Sequence, residues 1–507
     1  MRPSRTTPPR MLFNSYTYLL LFLPLTLLVF QLLRRAPFRV RLGWLVAMSL
    51  LYYGWWKPQY LPLILGSCVA NYFFGRFLSR HREKTSGKWM LALGVAANLS
   101  LLGYFKYTGL FAATLQGLSG WPENVPSIFL PLAISFFTFQ QIAYLVDAFR
   151  GEADEYHFTD YLLFVTFFPQ LIAGPIVHHK EMMPQFMRHH RWSVRWNDLA
   201  VGITFLAIGL FKKVVIADAM ARIATPIFSL SGEDSLRDPT MAEAWSGAIS
   251  YAMQIYFDFS GYSDMALGSA RLFGIRLPLN FHSPYKAASV IEFWRRWHIT
   301  LSRFLRDYLY IPLGGNRLGK SRRYGNLMFT MLLGGLWHGA GWTFLAWGGL
   351  HGLFLCANHG WMFLRKNRDL PPVPRPLAVG LTFLAVTIAW VFFRAESFDA
   401  AGRMLRAMSG LGGLSGWPTG SAQVVNDSRA LRFIPWLAVA WFLPNTQQFL
   451  RRYRPAVDLT RFDDLAPDRR RWWHWRPTLP WLAFTLALLY AVGREFDQLS
   501  EFIYFQF

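Results

Sequence analysis

Apolar stretches of bilayer length recur along the whole chain and constrain its fold more than any other feature. A helix needs about 20 apolar residues to cross the hydrocarbon core of a membrane. The stretches lie at 12–33, 42–56 with 58–75, 89–108, 127–148, 199–217, 244–263, 325–342 with 343–363, 377–394, 433–450 and 478–493. The pattern predicts an all-α polytopic membrane protein with about 11–13 transmembrane or re-entrant helices, folded as one integrated domain over residues 1–507.

The basic residues lie mainly between alternate apolar stretches. A net charge of +23 would suit a nucleic-acid-binding protein, but positively charged cytoplasmic loops explain it better, so no nucleic-acid partner is expected. Basic segments at 34–41, 76–88, 180–195, 271–323, 365–375 and 451–476 are predicted to be cytoplasmic, and 115–126 and 231–243 to lie outside. Taken in order, these assignments give about twelve crossings with both termini outside.

Three arginines in residues 1–10 would lie outside, against the same rule. We therefore hypothesise that residues 1–10 are an upstream extension and that translation begins at Met11. A peptide from residues 1–10 in the purified protein would refute this hypothesis.

His338 lies within the apolar region 324–364, whose other residues are mainly Leu, Phe, Gly, Ala and Trp. An ionisable side chain at membrane depth is costly, and by default it marks a functional site. The preceding segment, 271–323, carries eleven Lys and Arg against two acids. A cationic surface that leads to a buried imidazole predicts a membrane enzyme in which an anionic substrate reaches a base inside the bilayer.

Acyl transfer is one chemistry that this pattern allows. The chain has no GxSxG elbow, so the sequence does not support a serine acyl-enzyme. A histidine, with an ordinary pKa of about 6.5, can take the proton from a hydroxyl group while that oxygen attacks a thioester directly. We predict that His338 is this base. His298 is either a second active-site group or an interfacial histidine.

Three stretches interrupt the simple helical pattern. Prolines and glycines in 158–178 predict a broken or re-entrant segment that is buried in protein. Arginines alternate with aromatic residues in 293–315, which predicts an interfacial amphipathic helix. Within it, Asp307 either pairs with an arginine one turn away, such as Arg303, or belongs to the site. The glycines of 331–352 predict closely packed helices and leave room for an extended substrate.

Metal binding and nucleotide hydrolysis are not predicted. The sequence has two cysteines, no HExxH motif and no Cys/His array. On one continuous helix, His338 and His351 would lie about 20 Å apart along the axis and on different sides, too far apart to share a ligand. Residues 314–321 read GGNRLGKS and match the P-loop pattern, but no buried strand is predicted before them. We interpret the match as coincidental, although Lys320 remains a candidate to meet a substrate phosphate.

Five segments together resemble the membrane-bound O-acyltransferase family, in the branch of the alginate O-acetylation membrane proteins. They are FPQLIAGPI at 168–176, YFDFSGYSDM at 256–265, the stretch from FW to LGGN at 293–316, GLWHG at 335–339 and FIYFQF at 502–507. The resemblance implies a catalytic histidine in the bundle core, matching His338, and an upstream Asn or His, matching His298. It also implies that the acyl donor enters a central tunnel from the cytoplasm and the acceptor enters from the other side.

The resemblance implies acetyl-CoA as the donor substrate, with no bound cofactor and no metal. The phosphate groups of acetyl-CoA suit the arginines of 271–323. The predicted substrate-binding residues are Trp297, Arg295, Arg296, Arg306, Asp307, Asn316 and Trp337. The implied partners are a periplasmic acetyltransferase of the SGNH-hydrolase type, the polysaccharide-synthesis machinery and the surrounding membrane lipid. The implied location is the bacterial inner membrane, which the chain crosses many times.

The resemblance therefore predicts a membrane-bound O-acetyltransferase. It would move acetyl groups from cytoplasmic acetyl-CoA towards a periplasmic acceptor, for O-acetylation of alginate or a similar exopolysaccharide. Alternatives with the same chemistry are O-acylation of another polymer, as in cellulose acetylation or teichoic-acid D-alanylation, and O-acylation of a lipid. A proton-coupled transporter is the alternative from a different class. Broken helices and an internal histidine suit it, whereas the absence of repeat symmetry argues against it.

Overall fold

The computed structural model describes residues 11–503 apart from 83, 122–123, 126–127, 154–155, 173, 188–193, 233–234, 236, 318, 412–430, 463, 465–471 and 497–500. Within these residues the regular structure is helical, and the one β-type pairing is an isolated bridge between Pro278 and Val457. The predicted all-α class is confirmed. The hypothetical extension, 1–10, and the end of the last motif, 504–507, lie outside the described residues.

The α-helices in chain order are α1 (Leu23–Leu32), α2 (Phe38–Trp56), α3 (Leu61–Arg80), α4 (Thr85–Ser119), α5 (Ile134–Arg150), α6 (Phe158–Thr166), α7 (Phe168–Leu171), α8 (His179–Phe186), α9 (Trp196–Leu210), α10 (Asp218–Leu230), α11 (Met241–Leu272), α12 (Val290–Arg296), α13 (Ile299–Leu305), α14 (Lys320–His338), α15 (Trp342–Asn367), α16 (Arg375–Arg394), α17 (Phe398–Met408), α18 (Phe433–Phe442), α19 (Thr446–Phe449) and α20 (Leu479–Glu495). The π-helices Thr17–Phe22, Phe211–Ala217 and Arg306–Tyr310 adjoin α1, α9 and α13.

Several helical segments are suited to crossing a membrane. Within the described residues, five are long and apolar enough: Thr17–Arg35, Pro58–Arg80, Thr85–Ser119, Trp196–Leu230 and Arg375–Arg394. Large apolar side chains on these segments, such as Leu20 and Leu118, are exposed, as contact with lipid tails requires. The twelve-crossing topology remains a prediction.

Helix α11 lies at the centre of the bundle, where most of its side chains are buried. It packs on α9 through glycines. A Cβ atom on Gly261 would lie 2.8 Å from the carbonyl oxygen of Gly209, and one on Gly268 would lie 2.7 Å from that of Gly202. Only a residue without a side chain lets the two backbones approach this closely.

Helices α14 and α15 form a hairpin that turns at 339–341. A Cβ atom on Gly335 would overlap the carbonyl oxygen of Phe344, and one on Gly348 would overlap that of Met331. The close packing predicted for the glycines of 331–352 is therefore confirmed.

The hairpin corrects the expectation that His338 and His351 are held far apart. The chain does not form one continuous helix there, and both imidazole rings contact the same indole, that of Trp347. The ring centroids lie 5.0 Å from it for His338 and 4.9 Å for His351.

The single interfacial helix predicted for 293–315 is wrong. The chain forms α12, α13 and a π-helix instead, with a break at Trp297 and His298. His298 has a left-handed backbone with φ 42°, which ends α12 and redirects the chain. Both residues at the break are buried, and the Trp297 ring stacks on Phe293 with centroids 5.6 Å apart. The aromatic residues thus point into the bundle, not along a membrane surface.

The prediction of a broken, buried segment at 158–178 is confirmed. Helix α6 ends before Phe167, α7 is a single turn, and the described residues between α7 and α8 are not helical. Side chains satisfy the backbone groups that the break releases. The Phe168 N–H donates to Ser49 Oγ at 3.2 Å, and the Ile176 N–H donates to Thr300 Oγ1 at 3.0 Å. These bonds allow an irregular backbone to survive inside the bundle.

Candidate active site

His338 is the last residue of α14 and is 4% exposed. Its imidazole ring packs against three aromatic rings, with centroids 5.0 Å from Trp337, 5.0 Å from Trp347 and 5.4 Å from Phe393. This packing restricts the orientation of the ring. A fixed orientation is a requirement for a base that must meet a reacting proton within hydrogen-bond distance.

His298 lies beside His338, with ring centroids 6.2 Å apart. Its Nδ1 lies 3.1 Å from the side-chain oxygen of Asn280, and its ring contacts that of Trp337 at 6.0 Å. Burial lowers the pKa of His298 to about 3, so its ring is neutral near pH 7. The two histidines that the sequence singles out therefore meet in space, and their catalytic roles remain predictions.

Helix α4 supplies a polar cap for the end of α14 that carries His338. Lys106 Nζ donates to the carbonyl oxygen of Trp337, and the Tyr107 hydroxyl donates to that of Leu336 at 2.9 Å. The last carbonyl groups of a helix have no partner within it and carry its negative dipole end. The side chains of Lys106 and Tyr107 thus fix the end of α14.

An arginine-lined cavity of about 650 Å³ lies among α12, α13, α14 and α15. Five arginines line it, namely Arg295, Arg303, Arg306, Arg323 and Arg461, and no acid occurs among its described lining residues. The volume is typical of a small-molecule site. The charge suits a ligand that carries phosphate or carboxylate groups.

Carboxylates hold some of these arginines in place. Arg303 makes two bonds to Glu181, at 2.5 and 2.9 Å, and one to Asp458 at 3.2 Å. Asp458 also pairs with Arg461 at 3.1 Å. Within the described residues, no carboxylate lies at ion-pair distance from Arg295.

Of the two alternatives for Asp307, the pairing with Arg303 is wrong. Asp307 pairs with its neighbour Arg306, at 2.6 and 3.0 Å. The physical reason is that Glu181, which is distant in sequence, already occupies the Arg303 guanidinium.

Aromatic side chains connect the cavity to the histidine pair. Trp294 lines the cavity and donates its indole N–H to His351 Nδ1 at 3.2 Å. His351 packs on Trp347, which in turn packs on His338. The wall between the cavity and His338 is therefore only a few rings thick.

The predicted substrate-binding residues fall into three groups. Arg295, Arg306 and Asn316 line the cavity, Trp337 contacts both histidine rings, and Arg296, Trp297 and Asp307 lie outside the described lining. Arg296 pairs with Glu292 at 2.9 Å instead. The substrate-binding roles of all seven remain predictions.

Other residues of the site escaped the sequence analysis. Arg461 and Phe462 line the cavity from a segment far along the chain, and Asn280 contacts His298. In the sequence, only its positive charge marks Arg461 as a candidate, and nothing marks Asn280. Tertiary contacts of this kind leave no local pattern.

The part of the chain that the structure describes contains neither a metal-binding cluster nor a P-loop fold. No group of three His, Cys, Asp or Glu side chains there could hold a metal ion, and Cys68 and Cys356 are free. At 314–321 no strand precedes the glycines, and Lys320 Nζ lies 4.0 Å from the centroid of the Phe363 ring.

A helical membrane bundle that holds paired imidazoles beside a cationic cavity is suited to group transfer from an anionic donor. Comparison with known proteins identifies the protein family. Residues 148–395 match the model of MBOAT, the membrane-bound O-acyltransferase family.

Similar proteins extend the match beyond that segment. The peptidoglycan O-acetyltransferase of Helicobacter pylori is 44% identical, over 80% of this chain and 81% of the relative. The probable alginate O-acetylase AlgI of Azotobacter vinelandii is 38% identical, over 98% of this chain and the full length of the relative. The teichoic acid D-alanyltransferase of Streptococcus thermophilus is 28% identical, over 52% of this chain and 68% of the relative.

The chain belongs to the membrane-bound O-acyltransferase family. It is a multi-pass membrane acyltransferase, as the sequence resemblance predicts, and not the proton-coupled transporter considered as an alternative.

Proposed function

We propose that the chain transfers an acetyl group from cytoplasmic acetyl-CoA to a hydroxyl group of an acceptor on the periplasmic side of the bacterial inner membrane. The observation that carries this proposal is the position of the histidine pair beside the arginine-lined cavity. Arginine forks match phosphate oxygens, and CoA carries several phosphates.

In the proposed reaction, His338 takes the proton of the acceptor hydroxyl while its oxygen attacks the thioester carbon. The new C–O bond forms, the C–S bond breaks, and the proton passes from His338 to the leaving CoA thiolate. The products are an acetyl ester and free CoA, with no net change in protons. General-base help of this kind contributes about 10²–10⁴-fold, and His298 assists beside it.

The names of the relatives support a cell-envelope glycan as the final acceptor. We propose an alginate-type exopolysaccharide, because the alginate relatives match over nearly all of this chain. Peptidoglycan is the second candidate, since the relative that acts on it has the higher identity. A periplasmic SGNH-type acetyltransferase is the proposed partner that carries acetyl from the membrane to the polymer.

Membranes from cells that express the chain, incubated with radiolabelled acetyl-CoA, test this proposal. Label is measured in exopolysaccharide, peptidoglycan and lipid, and free CoA is measured in parallel. We expect one glycan to gain label in step with CoA release. Label in lipid alone would replace the glycan proposal with lipid acylation.

His338→Ala is expected to reduce CoA release by at least about 100-fold, the lower bound for loss of a general base. His81→Ala is the matched control, because His81 is a half-buried histidine at the end of α3, bonded to the Phe77 carbonyl oxygen. Wild-type CoA release by folded His338→Ala would disprove the assignment of the base.

A further inference from the structure

The turn at His298 is strained and completely buried. His298 has φ 42° and ψ 53°, a left-handed conformation that residues other than glycine seldom adopt. Such strain persists only where the surroundings hold it, and it is concentrated at functional sites. The residues that hold this turn are therefore candidates for a role in the reaction.

Asn280 holds the turn through its main chain and its side chain. Its carbonyl oxygen accepts the Ile299 N–H at 2.9 Å, and its side-chain Oδ1 accepts the Thr300 hydroxyl at 2.9 Å. Oδ1 also lies 3.4 Å from the Thr300 N–H and 3.1 Å from His298 Nδ1. Asn280 is 1% exposed, so water does not compete for these bonds.

The same contacts determine which atom of the amide faces His298. The Thr300 N–H can only donate, so the atom opposite it must be the Asn280 oxygen. The Thr300 hydroxyl oxygen already accepts the Ile176 N–H at 3.0 Å, which leaves its proton for Asn280. The amide nitrogen of Asn280 lies on the other side, 3.4 Å from Ser263 Oγ.

An oxygen at this position selects one tautomer of His298. Asn280 Oδ1 can only accept, so Nδ1 must carry the proton. In the opposite tautomer, two lone pairs would face each other at 3.1 Å. Because the neutral ring has one proton, the basic lone pair resides on Nε2.

We propose that Asn280 is a positioning residue for the acyl transfer. It fixes His298 beside His338 as the tautomer that carries its proton on Nδ1 and has a basic Nε2. This inference rests on the proposed function. Asn280 acts through His298 and does not contact the reacting groups, so its loss affects the proton-transfer step more than donor binding.

Asn280→Ala and Asn280→Asp separate this role from a purely structural one. Asn280→Ala removes the hydrogen-bond acceptor of His298. We expect kcat to fall about 10–100-fold, as is typical when an orienting partner is lost. The KM for acetyl-CoA should stay within about threefold of the wild-type value.

Asn280→Asp keeps the acceptor and adds a negative charge, which stabilises protonated His298 and so raises its pKa. The acidic limb of the kcat profile should therefore move to higher pH by about one unit or more. The other nearby titratable groups are His338 on α14 and Lys106 on α4, and neither residue is changed in these variants.

Asn98→Ala is the matched control for loss of a buried amide, because Asn98 is 4% exposed and bonds to Asn71 at 2.7 Å. We expect it to lower thermal stability without a shift in the pH profile. The proposal is overturned if folded Asn280→Ala keeps wild-type kcat, or if the Asn280→Asp profile superimposes on that of the wild type. Should Asn280→Ala not fold, the Asn280→Asp profile decides. Absence of acetyl-CoA-dependent acetyl transfer by the wild-type protein would instead reject the proposed function itself.

Discussion

Replacement of Arg295 by alanine tests whether the arginine-lined cavity holds phosphate groups of the donor. Arg295 lines this cavity, is exposed, and has no carboxylate at ion-pair distance among the described residues. A hydrogen bond to a charged group contributes about 1.5–3 kcal/mol, and the lower figure suits an exposed arginine because solvent screens it. About 1.4 kcal/mol corresponds to a factor of ten. We therefore expect KM for acetyl-CoA to rise about tenfold with kcat unchanged.

The assay measures initial rates of CoA release at several acetyl-CoA concentrations. Acetyl-dephospho-CoA, which lacks the 3′-phosphate, locates the contact. If Arg295 binds that phosphate, the variant and the wild type should have the same KM for this donor. If Arg295 binds the diphosphate, the tenfold difference should persist. In both cases the difference should shrink as salt screens the charges.

Arg403→Ala is the matched control, because Arg403 bonds to Asp238 and lies outside the cavity. It should leave KM unchanged. An unchanged KM in Arg295→Ala, with both donors and at low salt, would show that the cavity does not hold the donor through this residue.

Three further perturbations address the rest of the site. Arg303→Met leaves the largely buried Glu181 carboxylate without its two bonds to Arg303, so the free energy of unfolding should fall by about 3–5 kcal/mol in chemical denaturation. A loss below about 1 kcal/mol would contradict this. Lys106→Met removes the side-chain donor at the end of α14, so the free energy of unfolding should fall by about 0.5–1.5 kcal/mol and kcat should fall with it; an unchanged kcat would show that this cap does not affect the reaction. Burial lowers the pKa of His282, so protonation of this residue favours the unfolded protein. The folded protein therefore has its full stability above about pH 6.5, the ordinary pKa of histidine, and loses stability as the pH falls. The unfolding temperature should therefore drop between pH 7 and pH 5, and less so in His282→Gln; parallel curves would contradict the assignment.

Local pattern predicts the helices but not where they break. Apolar runs locate α3, α4 and α16 because length and hydrophobicity are local properties. The break at Trp297 and His298 depends on a left-handed residue that distant side chains hold in place. The apolar pattern separates 325–342 from 343–363 close to the α14–α15 turn at 339–341, but it does not show that the two helices fold back on each other. Helical spacing therefore misplaced His351 relative to His338.

The candidate site divides in the same way. His338 and His298 could each be found from the sequence, because one is an ionisable residue in an apolar run and the other lies in a basic segment. Their proximity required the fold. The pairing of Asp307 was mispredicted because helical spacing could not reveal that Glu181 holds Arg303.

The cap on α14 has a consequence for protein engineering. Lys106 precedes the family-matched stretch 148–395, whereas Arg461 follows it. An excised core would retain both imidazoles but lose Lys106, which anchors the helix of His338, and Arg461, which forms one wall of the arginine-lined cavity. Chimaeras between relatives should therefore exchange the flanking helices together with the core.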